Sequence, residues 1–153
     1  MNSDNYILKV VYKKLSESER SEVINLWVSE GAVPHHIAIQ RVEHVVCTIT
    51  DKETEKIIAV STAPPKIIQG KVYYTFGIYV SIDYRDKGVA FLRKQPWINN
   101  TTIETIKKSK PLLSDKILAF VENPKITRKI MSRKTWGWKY DNKYNVYYID
   151  LKE

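Results

Sequence analysis

The chain has 153 residues, of which 43% are hydrophobic and 27% are charged, which predicts one globular domain and excludes a chain that is disordered throughout. No apolar run approaches the roughly 18 residues of a membrane span, the opening residues lack a basic-then-apolar leader pattern, and the single cysteine, Cys47, excludes an intramolecular disulfide. We therefore expect a cytoplasmic protein with no membrane partner.

The net charge of +8 comes from the second half of the chain. Residues 1–70 carry 8 Lys and Arg against 9 Asp and Glu, whereas residues 71–153 carry 17 against 8. This asymmetry is typical of a surface that meets an anion, such as a phosphorylated cofactor, a nucleic acid or an acidic protein. A solvated basic face that keeps the protein soluble explains it equally well.

The chain opens with a strand pattern over residues 6–15, followed by a helix pattern over residues 16–31. Ser16 and Glu19 have the spacing of a capping box at the start of this helix, and Gly31 is placed to end it. Three apolar residues recur at the spacing of one helix face and predict its buried stripe: Val23, Leu26 and Trp27.

Three strands are predicted next. The runs 44–50 and 56–62 flank a polar turn and predict a hairpin, with Cys47 as a buried thiol. The run 71–80 alternates, and its isolated Gly77 predicts a bulge or a close approach by another backbone or a ligand. One side of this strand carries Val72, Tyr74, Phe76, Ile78 and Val80.

The second half of the chain continues this alternation of helices and strands. In chain order it predicts a short helix over 88–95 that Pro96 stops, a helical piece over 100–110, a buried strand over 116–121, a helix from Asn123 and Pro124 towards Thr135, and a last strand over 144–151. The whole order predicts an α+β fold in which helices cover a mixed sheet.

The stretch YVSIDYRDKGVA, residues 79–90, places a polar turn between the long strand and a helix start. A helix N-terminus has backbone N–H groups without intrahelical partners and a favourable dipole, so it can bind a phosphate. Gly88 would let the backbone approach the anion, Ala90 would keep the first helical turn clear, and Arg85 and Lys87 would add positive charge. The same residues also fit a plain basic loop.

This stretch resembles the acyl-coenzyme A (CoA) binding motif of the GCN5-related N-acetyltransferases, which reads Arg or Gln, two residues, Gly, one residue, then Gly or Ala. Arg85, Gly88 and Ala90 fill the motif, and Val80 lies at the usual end of the preceding strand. The following part of the chain is similar to the family's next block, a strand ending in an asparagine, a helix and a Gly-aromatic pair, at Asn123, Gly137 and Trp138.

The resemblance implies a mostly antiparallel central sheet flanked by helices, and transfer of an acetyl group from acetyl-CoA to an unidentified amine without a metal. The backbone of the long strand would pair with the pantetheine arm, Gly77 would mark its bulge, and the turn would hold the pyrophosphate. The residues implied to bind the cofactor are Ile78, Tyr79, Val80, Arg85, Asp86, Lys87, Gly88, Val89, Ala90 and Asn123.

Transfer also needs a base for the amine, a donor for the oxyanion and a proton for the departing thiolate. The resemblance implies that a backbone N–H near residues 78–80 is the donor. The family's glutamate base falls close to Tyr74, which is a poor base because its ordinary pKa is near 10. The family's tyrosine acid falls on Arg133, a departure from the pattern, and Tyr140 or Tyr144 could take that place.

Metal binding is a weaker interpretation of the histidines. His35, His36 and His44 have no Cys or carboxylate cluster at ligand spacing, so structural or substrate-cleft roles fit them better.

A basic helix face supports a different class of function. Its residues recur at helical spacing and could meet the phosphates of a nucleic acid or an acidic protein, or form a solvated face: Lys125, Arg128, Lys129, Arg133 and Lys134. The alternative to an N-acyltransferase is therefore a catalytically silent protein of the same fold that binds nucleic acid or a protein through its basic C-terminal half.

Overall fold

The computed structural model describes residues 5–87, 97–120 and 137–152. Its elements are β1 (Tyr6–Val10), α1 (Glu17–Ser29), α2 (His35–Arg41), β2 (Val45–Asp51), β3 (Ile57–Thr62), β4 (Pro65–Ile68), β5 (Lys71–Thr75), β6 (Gly77–Val80), α3 (Trp97–Lys107), β7 (Lys116–Phe120), β8 (Lys139–Asp141) and β9 (Val146–Asp150). Two short 3-10 segments add Val42–His44 and Ile82–Lys87. None of the helices in these ranges is long and apolar enough to cross a bilayer.

The described strands form two sheets. The first has the order β1-β2-β3-β6 with antiparallel neighbours, and the second has the order β4-β5-β7-β9-β8, in which only β5 and β7 are parallel. A parallel pair needs a crossover connection, and α3 lies in the segment between β6 and β7. This arrangement confirms the predicted α+β fold with a mostly antiparallel sheet.

The helix α1 follows the prediction closely. The hydroxyl of Ser16 accepts a hydrogen bond from Glu19 N–H at 3.1 Å, and the Glu19 carboxylate accepts one from Ser16 N–H at 3.0 Å, which is the reciprocal capping box. Gly31 follows the helix with φ +72°, a conformation that glycine adopts at little cost. The predicted stripe of Val23, Leu26 and Trp27 is buried.

The hydrophobic core has two parts, one on each face of the first sheet. The α1 stripe and α2 pack with Val45 and Val60 in one cluster. On the other face, α3 contributes Ile98, Ile103 and Ile106 to a cluster that also contains Cys47 and Tyr74. The predicted burial of Cys47 is confirmed, and burial raises the pKa of its thiol despite hydrogen bonding with Thr102 and Ser61.

Three described elements differ from the sequence prediction. The segment after Gly31 forms α2, and the chain between β3 and β5 forms the strand β4. The helix α3 begins at Trp97, immediately after Pro96, rather than at residue 100. The predicted helices over 88–95 and from Asn123 lie outside the described residues.

A long hairpin supplies strands to both sheets. Tyr74 on β5 is paired with Pro65 on β4, and Gly77 on β6 is paired with Thr62 on β3. Three positions separate Thr62 from Pro65 on one arm of the hairpin, and three separate Tyr74 from Gly77 on the other. Neither arm therefore contains an extra residue, and the bulge predicted at Gly77 is wrong. The predicted close approach is present, but a side chain makes it: a Cβ at Gly77 would lie 2.9 Å from Thr62 Oγ1.

We expect Gly77→Ala to lower the free energy of unfolding by about 1–3 kcal/mol, because the added methyl group forces Thr62 or the backbone to move. The Thr62→Ala substitution removes the opposing hydroxyl, so the double variant should lose less stability than the sum of the single variants. Urea unfolding of all four proteins measures this coupling. Strict additivity would show that Thr62 does not limit the space at Gly77.

Candidate functional site

The strand β6 has one edge paired with β3 and one edge turned away from it. Thr75 N–H donates to Pro64 O at 2.9 Å and Ser81 N–H donates to Ile58 O at 2.8 Å. Since backbone polar groups alternate in direction along an antiparallel strand, those of Ile78 and Val80 face the other edge.

This second edge begins where the chain passes from β5 in the second sheet to β6 in the first. Phe76 N–H donates to Leu118 O on β7 at 2.7 Å, but beyond Phe76 no strand in the described ranges pairs with the outer edge of β6. The peptide groups of Ile78 and Val80 therefore point to this outer edge of β6. Such an edge can bind an extended ligand through backbone hydrogen bonds.

The Arg85 side chain binds the outer edge of β6 at its C-terminal end. Its Nε donates to Val80 O at 3.0 Å, and its guanidinium carbon lies 5.2 Å from the centre of the Tyr79 ring, a cation–π distance. The side chain is exposed, so its charge remains near the solvent. Besides Val80 O, which accepts from Arg85, this edge carries both polar groups of Ile78 and the N–H of Val80.

The 3-10 segment Ile82–Lys87 continues from β6 towards Gly88, and Glu30 at the end of α1 contacts its start. The Glu30 carboxylate accepts hydrogen bonds from Tyr79 Oη at 2.7 Å, Ser81 Oγ at 2.6 Å and Ile82 N–H at 2.9 Å. Burial alone would raise the pKa of Glu30, but these donors and the nearby charge of Arg85 outweigh it and hold the pKa below its usual value. Glu30 is therefore ionised at neutral pH.

A second carboxylate contacts the same segment from the β2–β3 turn. Tyr84 Oη donates to Asp51 Oδ2 at 2.5 Å, and Asp51 Oδ1 accepts from Glu53 N–H at 2.9 Å. The Tyr84 ring also packs edge-on against Tyr6 at 6.4 Å. The segment Ile82–Lys87 is thus attached to the end of α1 through Glu30 and to the paired strands β1 and β2 through Tyr84.

The structure brings together some of the predicted cofactor residues. Ile78, Tyr79, Val80 and Arg85 lie side by side along β6 and the turn after it, and Asp86 and Lys87 end the 3-10 segment. The predicted residues Gly88, Val89, Ala90 and Asn123 lie outside the described residues, as do Arg133 and the whole predicted basic face, 125–134.

Tyr74 lies in the core. Its side chain is 1% exposed, and its hydroxyl accepts a hydrogen bond from Leu113 N–H at 2.9 Å. This position gives a packing role and does not support the predicted catalytic one.

The other two candidate tyrosines lie in the β8–β9 hairpin. Tyr140 and Tyr144 are 47% and 51% exposed. Tyr140 Oη donates to Asn145 Oδ1 at 2.5 Å, and the Tyr140 ring lies 4.9 Å from that of Tyr147. Both phenols are open to solvent and remain candidates as proton donors.

The Gly-aromatic pair leads into the same hairpin. Gly137 has φ +77°, and Trp138 packs edge-on against Phe76 with ring centres 5.5 Å apart. Trp138 Nε1 donates to Asn99 Oδ1 on α3 at 3.4 Å. Trp138 therefore packs against the residue at which the chain passes from β5 to β6.

The histidines do not form a cluster of metal ligands with other side chains. His35 and His36 are exposed at the start of α2, and His44 is half-buried. Within residues 5–87, 97–120 and 137–152, no group of three or more His, Cys, Asp or Glu residues is placed to hold a metal ion.

Sequence reasoning missed Glu30 and Asp51. One signal for Glu30 was available: an acidic residue at a helix C-terminus is opposed by the helix dipole, so it suggests a compensating contact elsewhere. The partners, however, are 49 to 52 positions away along the chain, which no local pattern reveals.

Solved structures of acetyltransferases are similar to this chain. A ribosomal-protein-S5-alanine acetyltransferase from Vibrio fischeri is 15% identical with a TM-score of 0.60, covering 97% of this chain and 94% of its own. The AtaT toxin, in a mutant form bound to the C-terminus of its antitoxin AtaR and to acetyl-CoA, is 10% identical with a TM-score of 0.59, covering 97% and 95%.

A third similar structure is a spermidine N-acetyltransferase chimera from Vibrio cholerae and hSSAT, 15% identical with a TM-score of 0.53, covering 97% of this chain and 96% of its own. No protein-family model and no curated protein matches the sequence. The similarity therefore concerns the fold.

Proposed function

Because the chain has the fold of the GCN5-related N-acetyltransferases, we propose that it is an acyl-CoA-dependent N-acyltransferase that transfers an acetyl group from acetyl-CoA to an amine. The observation that carries the proposal is the outer edge of β6, which runs directly into the segment before Gly88. A backbone edge followed by a turn that is proposed to bind phosphate matches two consecutive parts of CoA, its pantetheine arm and its pyrophosphate.

The residues present fit this donor. The amide groups of the pantetheine arm can pair with a peptide group of Ile78 or with Val80 N–H on the outer edge of β6. By the sequence resemblance, the backbone from Gly88 to Ala90 holds the pyrophosphate. The positive charge of Arg85 beside the start of this turn favours an anion there.

The reaction follows from these positions. The amine nitrogen attacks the thioester carbon, a C–N bond forms, the C–S bond breaks and the sulfur leaves as a thiolate. The N–H of Ile78 or Val80 that the pantetheine arm leaves unpaired stabilises the oxyanion of the tetrahedral intermediate. The amine gives up one proton and the thiolate takes one, and the exposed phenols of Tyr140 and Tyr144 are the proposed donors to sulfur.

Tyr79 is a different case, although it lies on the same strand. Burial, followed by its hydrogen bond to Glu30, raises the pKa of Tyr79 above its ordinary value. The phenol therefore stays protonated at neutral pH and cannot serve as a base.

We expect acetyl-CoA and free CoA each to raise the melting temperature in a thermal-shift titration. A ligand that binds only the folded state stabilises it by about 2.7 kcal/mol at a hundredfold excess over its dissociation constant. ATP at the same concentration is the control, because it has phosphates but no pantetheine arm to pair with β6. A shift with CoA that exceeds the shift with ATP supports the proposal.

Two other results separate the alternatives. Equal shifts with CoA and ATP would indicate a general anion site and contradict the pairing of pantetheine with β6. No shift with any CoA ligand would contradict the acyltransferase proposal and favour the silent protein that binds nucleic acid or a protein through its basic C-terminal half.

A further inference from the structure

The Glu30 carboxylate is the point where α1 meets the end of β6. It accepts one hydrogen bond from the side chain of Tyr79, one from the side chain of Ser81 and one from the backbone of Ile82. These three donors are nearly consecutive in the chain, and they cover the change from strand to 3-10 segment. One side chain thus fixes the direction in which the backbone leaves β6.

These contacts also reach Arg85. Tyr79, whose hydroxyl is bonded to Glu30, carries the Arg85 guanidinium above its ring, and Arg85 Nε is bonded to Val80 O. The carboxylate, the phenol and the guanidinium form one connected group around the start of the turn. A change at Glu30 is therefore transmitted both to the backbone after β6 and to the cation beside it.

Two neighbours of the Glu30 carboxylate disfavour its negative charge, the end of α1 and the proposed ligand. The C-terminal end of α1 carries partial negative charge, and the proposed ligand of the adjacent turn is an anion, which a negative charge repels. Glu22 lies about two turns earlier on the same helix and makes a simpler contact, a hydrogen bond from Ile57 N–H on β3. Burial adds to these costs, but the three donors and the nearby charge of Arg85 hold the pKa of Glu30 below its usual value, so the contacts with the turn are what stabilise the carboxylate here.

We propose that Glu30 is a positioning residue for CoA: it holds the segment Ile82–Lys87 and Arg85 in the geometry that binds the pyrophosphate. This inference rests on the proposed function. Positioning and electrostatics make opposite predictions for a neutral variant. If Glu30 acts only as a charge near the site, removing it strengthens CoA binding; if it positions the turn, removing it weakens binding.

The test is calorimetric titration of CoA into the wild type, Glu30→Ala, Glu30→Gln and Glu22→Ala, well below every melting temperature so that all four proteins are folded. We expect the dissociation constant to rise about tenfold in Glu30→Ala, the size of one charge-assisted hydrogen bond. Glu30→Gln keeps one acceptor oxygen, so its loss should be smaller. Glu22→Ala should lose stability but bind CoA like the wild type.

Ser81→Ala and Tyr79→Phe keep the test valid if Glu30→Ala does not fold. Each removes one donor to the carboxylate and should weaken CoA binding by a few-fold. Binding equal to or tighter than the wild type in every variant that removes Glu30 or its donors would overturn the inference and leave the proposed function intact. A wild type that binds neither CoA nor acetyl-CoA would overturn the proposed function and this inference together.

Discussion

Gly88→Val is expected to weaken CoA binding by about 100-fold or more, whereas Arg85→Ala should weaken it only several-fold. In the proposed site, phosphate oxygens meet backbone N–H groups at Gly88, and a branched side chain would occupy the space that they need. Arg85 adds one exposed charge, although the loss of its bond to Val80 O adds a positioning cost. Titration calorimetry with CoA measures both dissociation constants.

A stability control separates a blocked site from a damaged fold. Valine in place of glycine changes helix propensity by less than about 1 kcal/mol, too little to unfold a typical domain unless Gly88 needs a positive φ. The melting temperature of each empty variant should therefore stay near that of the wild type. A folded Gly88→Val protein that binds CoA normally would contradict the phosphate site.

The parts of the fold that the sequence predicted well are those that local chemistry determines. The capping box at Ser16 and Glu19, the glycine after α1 and the runs of β-forming residues in β2 and β3 all act over a few positions. Such signals locate an element without knowledge of its neighbours. The strand β7 and the last strand were predicted for the same reason.

The structure differs from the sequence prediction where the pairing of distant strands determines the local conformation. β4 begins at Pro65, and its place at the edge of the second sheet makes a proline acceptable there. Gly77 was interpreted as a bulge or a close approach by another backbone or a ligand, whereas the actual constraint is the Thr62 side chain on the neighbouring strand. Neither fact is visible in a window of ten residues.

The candidate site shows the same division. The motif at Arg85, Gly88 and Ala90 is local, so the sequence alone suggests a phosphate-binding turn there, and this stays a prediction. The carboxylates of Glu30 and Asp51 reach that turn from α1 and β2, and only the folded chain brings them there. The groups that position the site are therefore harder to predict than the groups proposed to bind the ligand.

Tyr74 illustrates how one strand can present the same side to two environments. One side of this strand packs in or against the cluster on the α3 face through Tyr74, Phe76, Ile78 and Val80. The part that forms β5 pairs with β7, whereas the part that forms β6 pairs with β3 in the first sheet. The same alternation therefore places Tyr74 deep in the core. It leaves Ile78 and Val80 half-buried on β6, whose outer edge pairs with no described strand. A catalytic role predicted for one of them does not transfer to another.

Tyr74→Ala is accordingly expected to cost about 3–5 kcal/mol of unfolding free energy, because it removes a large aromatic ring from the core. Tyr74→Phe keeps the ring and loses only the acceptor for Leu113 N–H, so we expect a cost of about 1–3 kcal/mol. Urea unfolding measures both, and Tyr144→Phe, with its exposed phenol, is the control that should leave stability unchanged. In the folded Tyr74→Phe protein, acetyl transfer to any amine that the wild type accepts should keep its rate, since a buried hydroxyl that accepts a backbone hydrogen bond cannot exchange protons with an amine. A loss of about 100-fold or more, the size of a general-base contribution, would restore Tyr74 as the base and contradict the packing role.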